Sequence, residues 1–145
     1  MLPQVFGDDY RFDLFKADVL CEGTDLTVLV TGLPTADTLE AAERLAGEGV
    51  STEVINIHTL KPIDRVTVLS SAHKTGAVLT VENHSVIGGL HSAVLEVLAR
   101  EKIPVSAVGA PDRFGEVGML PYLRETFGLT AAHIAEAAKE ALTLK

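Results

Sequence analysis

The chain has 145 residues, of which 47% are hydrophobic and 22% charged, and these values are typical of one globular domain. The net charge is −8 and the Lys and Arg residues are scattered, which argues against nucleic-acid binding and against anionic membrane surfaces. A single cysteine, Cys21, excludes an internal disulfide and indicates a reducing compartment. No apolar run approaches the roughly 20 residues of a membrane span, so we expect a cytoplasmic protein.

The first third of the chain predicts an arm, an edge strand and a buried strand. Residues 1–15 are acidic with alternating aromatic residues, which indicates an extended arm or a linker from a preceding domain, and residues 16–145 form the predicted domain. Residues 17–20 are a candidate edge strand. The apolar run 27–31, ended by Gly32, predicts a strand that is buried on both faces.

The middle of the chain alternates helix and strand. The amphipathic pattern of residues 35–47 predicts a helix, and residues 54–57 predict the next strand. Asp64 is the predicted N-cap of a second helix, which Gly76 ends. The β-branched residues within 66–72 would also suit a strand, so this segment is ambiguous.

The last third repeats the alternation. Residues 77–81 and 105–109 predict buried strands, separated by a helix over 90–100. Thr130 is the predicted N-cap of a final helix whose apolar residues extend to Leu142. The fold class that follows is α/β, a three-layer sandwich with a mostly parallel five-stranded sheet and helices on both faces.

Polar side chains follow several of the predicted strands. Functional sites of open parallel sheets gather beyond the carboxyl ends of the strands. The loops expected at that edge carry a noticeable share of the polar groups that could do chemistry, and we expect these to share one rim of the domain: His58, Lys61, Glu82, His84, Asp112 and Arg113.

The sharpest cluster on this rim is Glu82-Asn83-His84. A carboxylate and an imidazole could perform acid–base chemistry or bind a metal. Hydrogen bonds to loop backbone, or to a neighbouring chain, are the alternative that we favour. The seven-residue spacing of His84 and His91 is not a usual metal-ligand spacing. We therefore predict no catalytic residue and no metal ligand.

Two further features complete the rim. Gly88-Gly89 before a helix resembles phosphate-binding turns, but it lacks the fuller glycine pattern, and close approach of two backbones explains the pair equally well. Asp112 and Arg113 form either a solvated ion pair or a partner contact. The predicted interface or ligand-binding rim thus consists of His58, Glu82, His84, Gly88, Gly89, Asp112 and Arg113.

Several short motifs occur in one specific order, and together they resemble the C-terminal domain of transketolase-family enzymes from about residue 5 to the end. Phe15 stands where the family usually has Gly, and Asn83 where an acid is common, so the branch stays open. The motifs are Lys16-Ala17, Thr31-Gly32, Leu60-Lys61-Pro62-Ile63-Asp64, Thr80-Val81-Glu82-Asn83-His84, Gly88-Gly89-Leu90, Asp112-Arg113-Phe114-Gly115 and Gly128-Leu129-Thr130.

The resemblance implies a division of labour. In this family one domain binds thiamine diphosphate with Mg²⁺, a second supplies the activating glutamate, and the third, which this chain resembles, supports assembly of a dimer. The family's diphosphate motif is absent from these 145 residues. The resemblance therefore implies that this chain alone binds no cofactor and is inactive. It would need N-terminal transketolase domains or a subunit that carries them.

The reaction implied by the resemblance is ketol transfer between sugar phosphates, as in pentose phosphate metabolism. Two alternatives remain. The same domain occurs in deoxyxylulose-phosphate synthases and in the β subunits of 2-oxoacid dehydrogenases. The chain could also be a free-standing ligand-binding or regulatory module that uses the rim around residues 82–89.

Overall fold

The computed structural model describes residues 3–145, which form one five-stranded sheet flanked by helices. The strands and helices alternate along most of the chain. In order they are β1 (Asp18–Cys21), β2 (Leu26–Thr31), α1 (Thr35–Gly47), β3 (Thr52–Asn56), α2 (Arg65–Thr75), β4 (Val78–Ser85), α3 (Leu90–Val97), β5 (Val105–Ala110), α4 (Leu120–Thr126) and α5 (Ala131–Leu142).

The strand order across the sheet is β1-β3-β2-β4-β5. The four strands from β2 to β5 are parallel, and only β1 is antiparallel, at the edge beside β3. From β2 the chain moves outward to β3, and it then crosses back over β2 to β4. The sheet therefore has its topological switch point between β2 and β4, where open parallel sheets place their sites.

Two hydrophobic cores lie on opposite faces of the sheet. Val28 and Val30 of β2 pack with α1 and α5 on one face, whereas Leu29 packs with α2 and α3 on the other. This alternation follows from the two-residue period of a strand. Helices on both faces confirm the three-layer α/β sandwich that the sequence predicts. Cys21 is half-buried against the first core.

The second helix resolves the ambiguity in the sequence. Residues 66–72 belong to α2, and the carboxylate of Asp64 accepts a hydrogen bond from the amide of Thr67 at 3.1 Å, as expected of an N-cap. Gly76 ends α2 in the left-handed conformation, with φ of 76°. At the last helix, Thr130 precedes α5 as predicted, but its hydroxyl pairs with Nδ1 of His133 instead of a backbone amide.

The short helix α4 is not predicted by the sequence. It has only seven residues, and none of them is buried. Pro121 lies in its first turn, where proline is tolerated. The helix is positioned instead by a long-range ion pair between Arg124 and Asp37 of α1.

The segment predicted as an arm folds against the rim of the domain. Two turns, closed by Tyr10 on Gly7 and by Lys16 on Asp13, bend it, so it is less extended than the sequence suggests. The ring of Phe12 packs on His58 with centroids 4.6 Å apart. Among residues 3–145, no helix has the length and apolar character needed to cross a membrane.

Candidate functional site

At the switch point, the loop after β2 contacts the end of β4. The amide of Leu33 donates to Oδ1 of Asn83 over 3.1 Å. Gly32 has φ of 77°, and a Cβ atom at this position would overlap that same oxygen. Glycine is therefore required at residue 32 for both conformation and space. Asn83 thus joins the end of β4 to the loop after β2.

Glu82 is turned into the domain, with 1% of the residue exposed. Its carboxylate accepts hydrogen bonds from the amides of Leu90 at 2.7 Å and His91 at 2.9 Å, the first two residues of α3. These amides have no partner within the helix, and the positive end of the helix dipole favours a negative charge beside them. Glu82 thus serves as the cap that Gly89 cannot provide.

His84 lies on the exposed side of the same strand end. Its Nδ1 is 3.3 Å from the carbonyl oxygen of Ser85, whereas the Glu82 carboxylate is bound to the amides of α3. The two groups considered as an acid–base pair therefore point to different environments. Because Glu82 is buried within this chain, its side chain is not available to a partner. The predicted interface therefore depends on His84 and its exposed neighbours.

The backbone amides around the Gly88-Gly89 turn that could bind an anion are largely engaged in other hydrogen bonds. The amide of Gly88 donates to the hydroxyl of Ser92 at 2.8 Å, and the first amides of α3 donate to Glu82. A Cβ atom on Gly89 would overlap the Glu82 carboxylate, whereas one on Gly88 would meet open space. Close approach of Glu82 is the physical reason for glycine at residue 89.

His58 follows β3 and lies beside a shared carboxylate. Its Nε2 is 3.8 Å from Oδ2 of Asp18. The same oxygen accepts hydrogen bonds from the hydroxyl of Tyr10 at 2.9 Å and from the side-chain amide Nδ2 of Asn56 at 3.1 Å. Burial raises the pKa of Tyr10, and the hydrogen bond to Asp18 and its negative charge raise it further. The cluster attaches the arm to the sheet edge.

Of the two alternatives for Asp112 and Arg113, the structure does not show the ion pair: among the described residues, Arg113 pairs with Glu116. Its guanidinium lies 3.1 Å from Oε1 of Glu116 and 4.8 Å from the centroid of the Phe127 ring. A guanidinium over an aromatic face is attracted by the ring quadrupole. Asp112 is exposed and remains free to meet a partner.

A cavity of about 280 Å³ opens beside the switch point, between the loops and α4. Its wall is mainly apolar and includes Leu33, Leu120 and Phe127. At its side, Arg124 forms an ion pair with the buried Asp37 of α1. The pair could not be predicted from local sequence because its members are 87 residues apart.

The buried carboxylates of this rim are not free to hold a magnesium-bound diphosphate. Among residues 3–145, no three His, Cys, Asp or Glu side chains converge as metal ligands. The two buried carboxylates nearest the switch point are already engaged, Glu82 by the amides of α3 and Asp37 by Arg124. Hard cations such as Mg²⁺ require free carboxylate or carbonyl oxygens.

Two transketolase relatives match nearly the whole chain. A 6-deoxy-6-sulfo-D-fructose transketolase subunit of Clostridium sp. (strain MSTE9) is 52% identical over 138 residues, covering 94% of this chain and 43% of the relative. An apulose-4-phosphate transketolase subunit of Phocaeicola vulgatus is 34% identical, covering 96% of this chain and 45% of the relative. The chain therefore spans less than half the length of these relatives.

A synthase and a solved transketolase structure are also similar to this chain. A 1-deoxy-D-xylulose-5-phosphate synthase of Geobacter sulfurreducens is 41% identical over 131 residues, which is 21% of its length. The solved split-gene transketolase, an inactive beta4 tetramer, has 50% identity and a TM-score of 0.93, covering 99% of this chain and 48% of that chain. Residues 15–134 match the family model of the transketolase C-terminal domain. The chain therefore belongs to the transketolase C-terminal domain family.

Proposed function

We propose that the chain is the C-terminal, non-catalytic part of a thiamine-diphosphate-dependent transketolase. The observation that carries this proposal is the 52% identity to a transketolase subunit across 94% of the chain. The chain corresponds to only 43% of that subunit, so the remaining residues of a transketolase would supply the cofactor site and the reacting groups. When bound there, thiamine diphosphate with Mg²⁺ supplies the carbanion chemistry.

The role proposed for this chain is assembly. The engaged carboxylates Glu82 and Asp37 support a structural task for the rim, and they favour a chain that binds no cofactor alone. We propose that His84, Gly88 and Asp112, which are exposed, contact the N-terminal transketolase domains. The parent enzyme would be a cytoplasmic homodimer or a larger assembly, and the solved relative is itself a tetramer.

The substrates proposed are ketoses that carry an anion at the terminal carbon. One relative is named for 6-deoxy-6-sulfo-D-fructose and another for apulose 4-phosphate. Both sugars have a terminal acid, a sulfonate in the first and a phosphate in the second. Pentose phosphates, expected from the resemblance, are one case within this class.

A chimeric subunit provides the test. This chain would replace the matching C-terminal region of the Clostridium subunit, which is 52% identical to it. The chimera, mixed with the other parts of that enzyme and thiamine diphosphate with Mg²⁺, is assayed for ketol transfer from 6-deoxy-6-sulfo-D-fructose. We expect turnover within about tenfold of the native enzyme, since an accessory domain alters the barrier by little more than about 1.4 kcal/mol.

Two controls define the outcome. The Clostridium subunit truncated before the matching region should be inactive, and this chain alone should neither bind thiamine diphosphate in calorimetry nor turn over substrate. A well-folded, assembled chimera without activity would overturn the proposed function. Activity of the chain alone would overturn its non-catalytic role.

Deoxyxylulose-phosphate synthase is the second candidate, because the Geobacter enzyme is 41% identical over 88% of this chain. The corresponding chimera replaces the matching region of that synthase. Formation of 1-deoxy-D-xylulose 5-phosphate by this chimera, with no ketol transfer by the first, would favour the synthase branch. The reverse result would favour the transketolase branch.

A further inference from the structure

A group of large apolar side chains is exposed on the loop between β5 and α4. Phe114 is 98% exposed, Val117 is fully exposed and Met119 is 80% exposed. We call residues 111–119 the β5–α4 loop. Exposed apolar patches mark interaction surfaces, whereas singly scattered apolar residues are normal on a protein surface.

Polar contacts hold this loop in place while its apolar side chains face outward. The two carboxylate oxygens of Glu116 contact Arg113 at 3.1 Å and the hydroxyl of Tyr122 at 2.8 Å. Arg113 also stacks on Phe127. The loop is thus tied to α4 through its charged residues, which leaves Phe114, Val117 and Met119 without an internal partner surface.

The exposed side chains adjoin the cavity beside the switch point. Gly115, Glu116 and Leu120 line that cavity of about 280 Å³, and Leu33 lines it from the opposite loop. Leu33 is 41% exposed and Leu120 is 38% exposed, so the apolar wall is open to solvent. Loop and cavity form an apolar surface that nothing within residues 3–145 covers.

The arm reaches the same part of the rim. Pro3 and Val5 border a second cleft together with Leu33 and Asn83, and these last two residues also line the first cavity. In a longer subunit, a domain that precedes this chain would therefore connect to it beside the apolar surface. The relatives are more than twice as long as the region that this chain matches.

We propose that the β5–α4 loop, with Leu33 and Leu120, is the docking surface for the preceding domain of the same transketolase subunit. The occupant is an apolar patch of that domain, which removes Phe114, Val117 and Met119 from water. This inference rests on the proposed function. It assigns the main share of the contact to the β5–α4 loop, of which the predicted rim contained only Asp112 and Arg113.

Met119 reports on this docking directly. It is the one methionine of the described residues, and hydrogen peroxide oxidises an exposed methionine to the sulfoxide, which peptide mass spectrometry detects. The experiment compares the isolated chain with the Clostridium chimera. We expect the oxidation of Met119 to be at least about tenfold slower in the chimera, because docking protects the side chain.

Two results would contradict the proposal. Equal oxidation rates in the isolated chain and the chimera would mean that no preceding domain covers the loop. Slow oxidation in the isolated chain, accompanied by concentration-dependent self-association in sedimentation velocity, would mean that a second copy is the occupant.

A matched pair of variants tests the location. Val117→Asp and Val66→Asp introduce the same change at exposed valines, and Val66 lies on α2, away from the loop. In the chimera, Val117→Asp should restore rapid oxidation of Met119, while Val66→Asp should not. Both isolated chains should keep the parent Tm within a few degrees, since exposed substitutions change stability little. Equal behaviour of the two chimeric variants would overturn the assignment.

The readout separates this inference from the proposed function. A chimera that protects Met119 but does not turn over substrate would retain the docking surface and remove the reaction. A chimera that turns over substrate while Met119 stays exposed would retain the reaction and remove the docking surface.

Discussion

The carboxylate of Glu82 fills the space that a side chain on Gly89 would need. Strand β4 thereby caps helix α3 from outside the helix, through hydrogen bonds of 2.7 and 2.9 Å to its first two amides. The two residues act together. Gly89 leaves space for the carboxylate of Glu82, and this carboxylate accepts the hydrogen bonds that a capping side chain at residue 89 would otherwise accept. These contacts fix the end of β4, which carries His84.

Alanine at residue 89 tests the close approach. Its Cβ atom would overlap the Glu82 carboxylate and lie 2.5 Å from the carbonyl oxygen of Ser85. We expect the free energy of unfolding to fall by about 2–3 kcal/mol, as for other overpacked sites. Gly47→Ala is the control, because a Cβ atom there meets nothing within 4 Å. Urea unfolding should show this control unchanged or stabilised by up to about 1 kcal/mol. Similar losses in both variants would contradict the account.

Removal of the Glu82 carboxylate tests the cap itself. Glu82→Ala leaves the amides of Leu90 and His91 without acceptors, and we expect it to lower the free energy of unfolding by roughly 3 kcal/mol. Glu82→Gln keeps one acceptor oxygen and should lose about half as much. His84→Ala, at the exposed neighbour, should stay within about 0.5 kcal/mol of the parent. A Glu82→Ala variant as stable as His84→Ala would show that the cap contributes little.

The N-cap of α2 predicts a dependence on pH. Burial raises the pKa of Asp64, but hydrogen bonds from Thr67 and from the amide of Ala17 outweigh it, so the folded-state pKa lies below the ordinary value of 3.8. The folded state therefore holds the proton less tightly than the unfolded state. This stabilisation is present above about pH 4 and is lost as the pH falls through the folded-state pKa.

The variant Asp64→Asn isolates this contribution. We expect it to be about 1 kcal/mol less stable than the parent at pH 6, with the difference shrinking towards pH 2. Urea unfolding at the two pH values measures it. A difference that stays constant with pH would mean that the charge of Asp64 has no part in the stabilisation.

The ion pair between Asp37 and Arg124 attaches α4 to α1. Asp37 is buried whereas a third of the Arg124 side chain is exposed, so solvent screening weakens the pair. Arg124→Met should lower the free energy of unfolding by roughly 2 kcal/mol, because it leaves a buried carboxylate unpaired. Asp37→Asn combined with Arg124→Met should recover part of that loss in a double-mutant cycle. Strictly additive losses would mean that the two side chains are not coupled.

Local patterns explain most of what the sequence predicts about the fold. The alternation of Val28, Leu29 and Val30 between the two cores follows from the apolar run of β2, and the edge strand before it is present as β1. The orientation of Glu82 could not be predicted in this way. The predicted strand ends at residue 81, but β4 extends to Ser85, so Glu82 lies within the strand and faces α3.

Long-range contacts account for the features that the sequence does not predict. Helix α4 has no buried residue and depends on Asp37, which is 87 residues away in the chain. The cavity beside it and the exposed Phe114, Val117 and Met119 follow from the placement of that helix and its loop. No short-range periodicity encodes such contacts.

Ketol transfer by the Clostridium chimera tests the central claim most directly. The account predicts that the subunit truncated before residues matching this chain is inactive, that this chain alone is inactive, and that their fusion restores transfer from 6-deoxy-6-sulfo-D-fructose. A folded and assembled fusion that transfers no ketol unit would contradict the claim that this chain completes a transketolase.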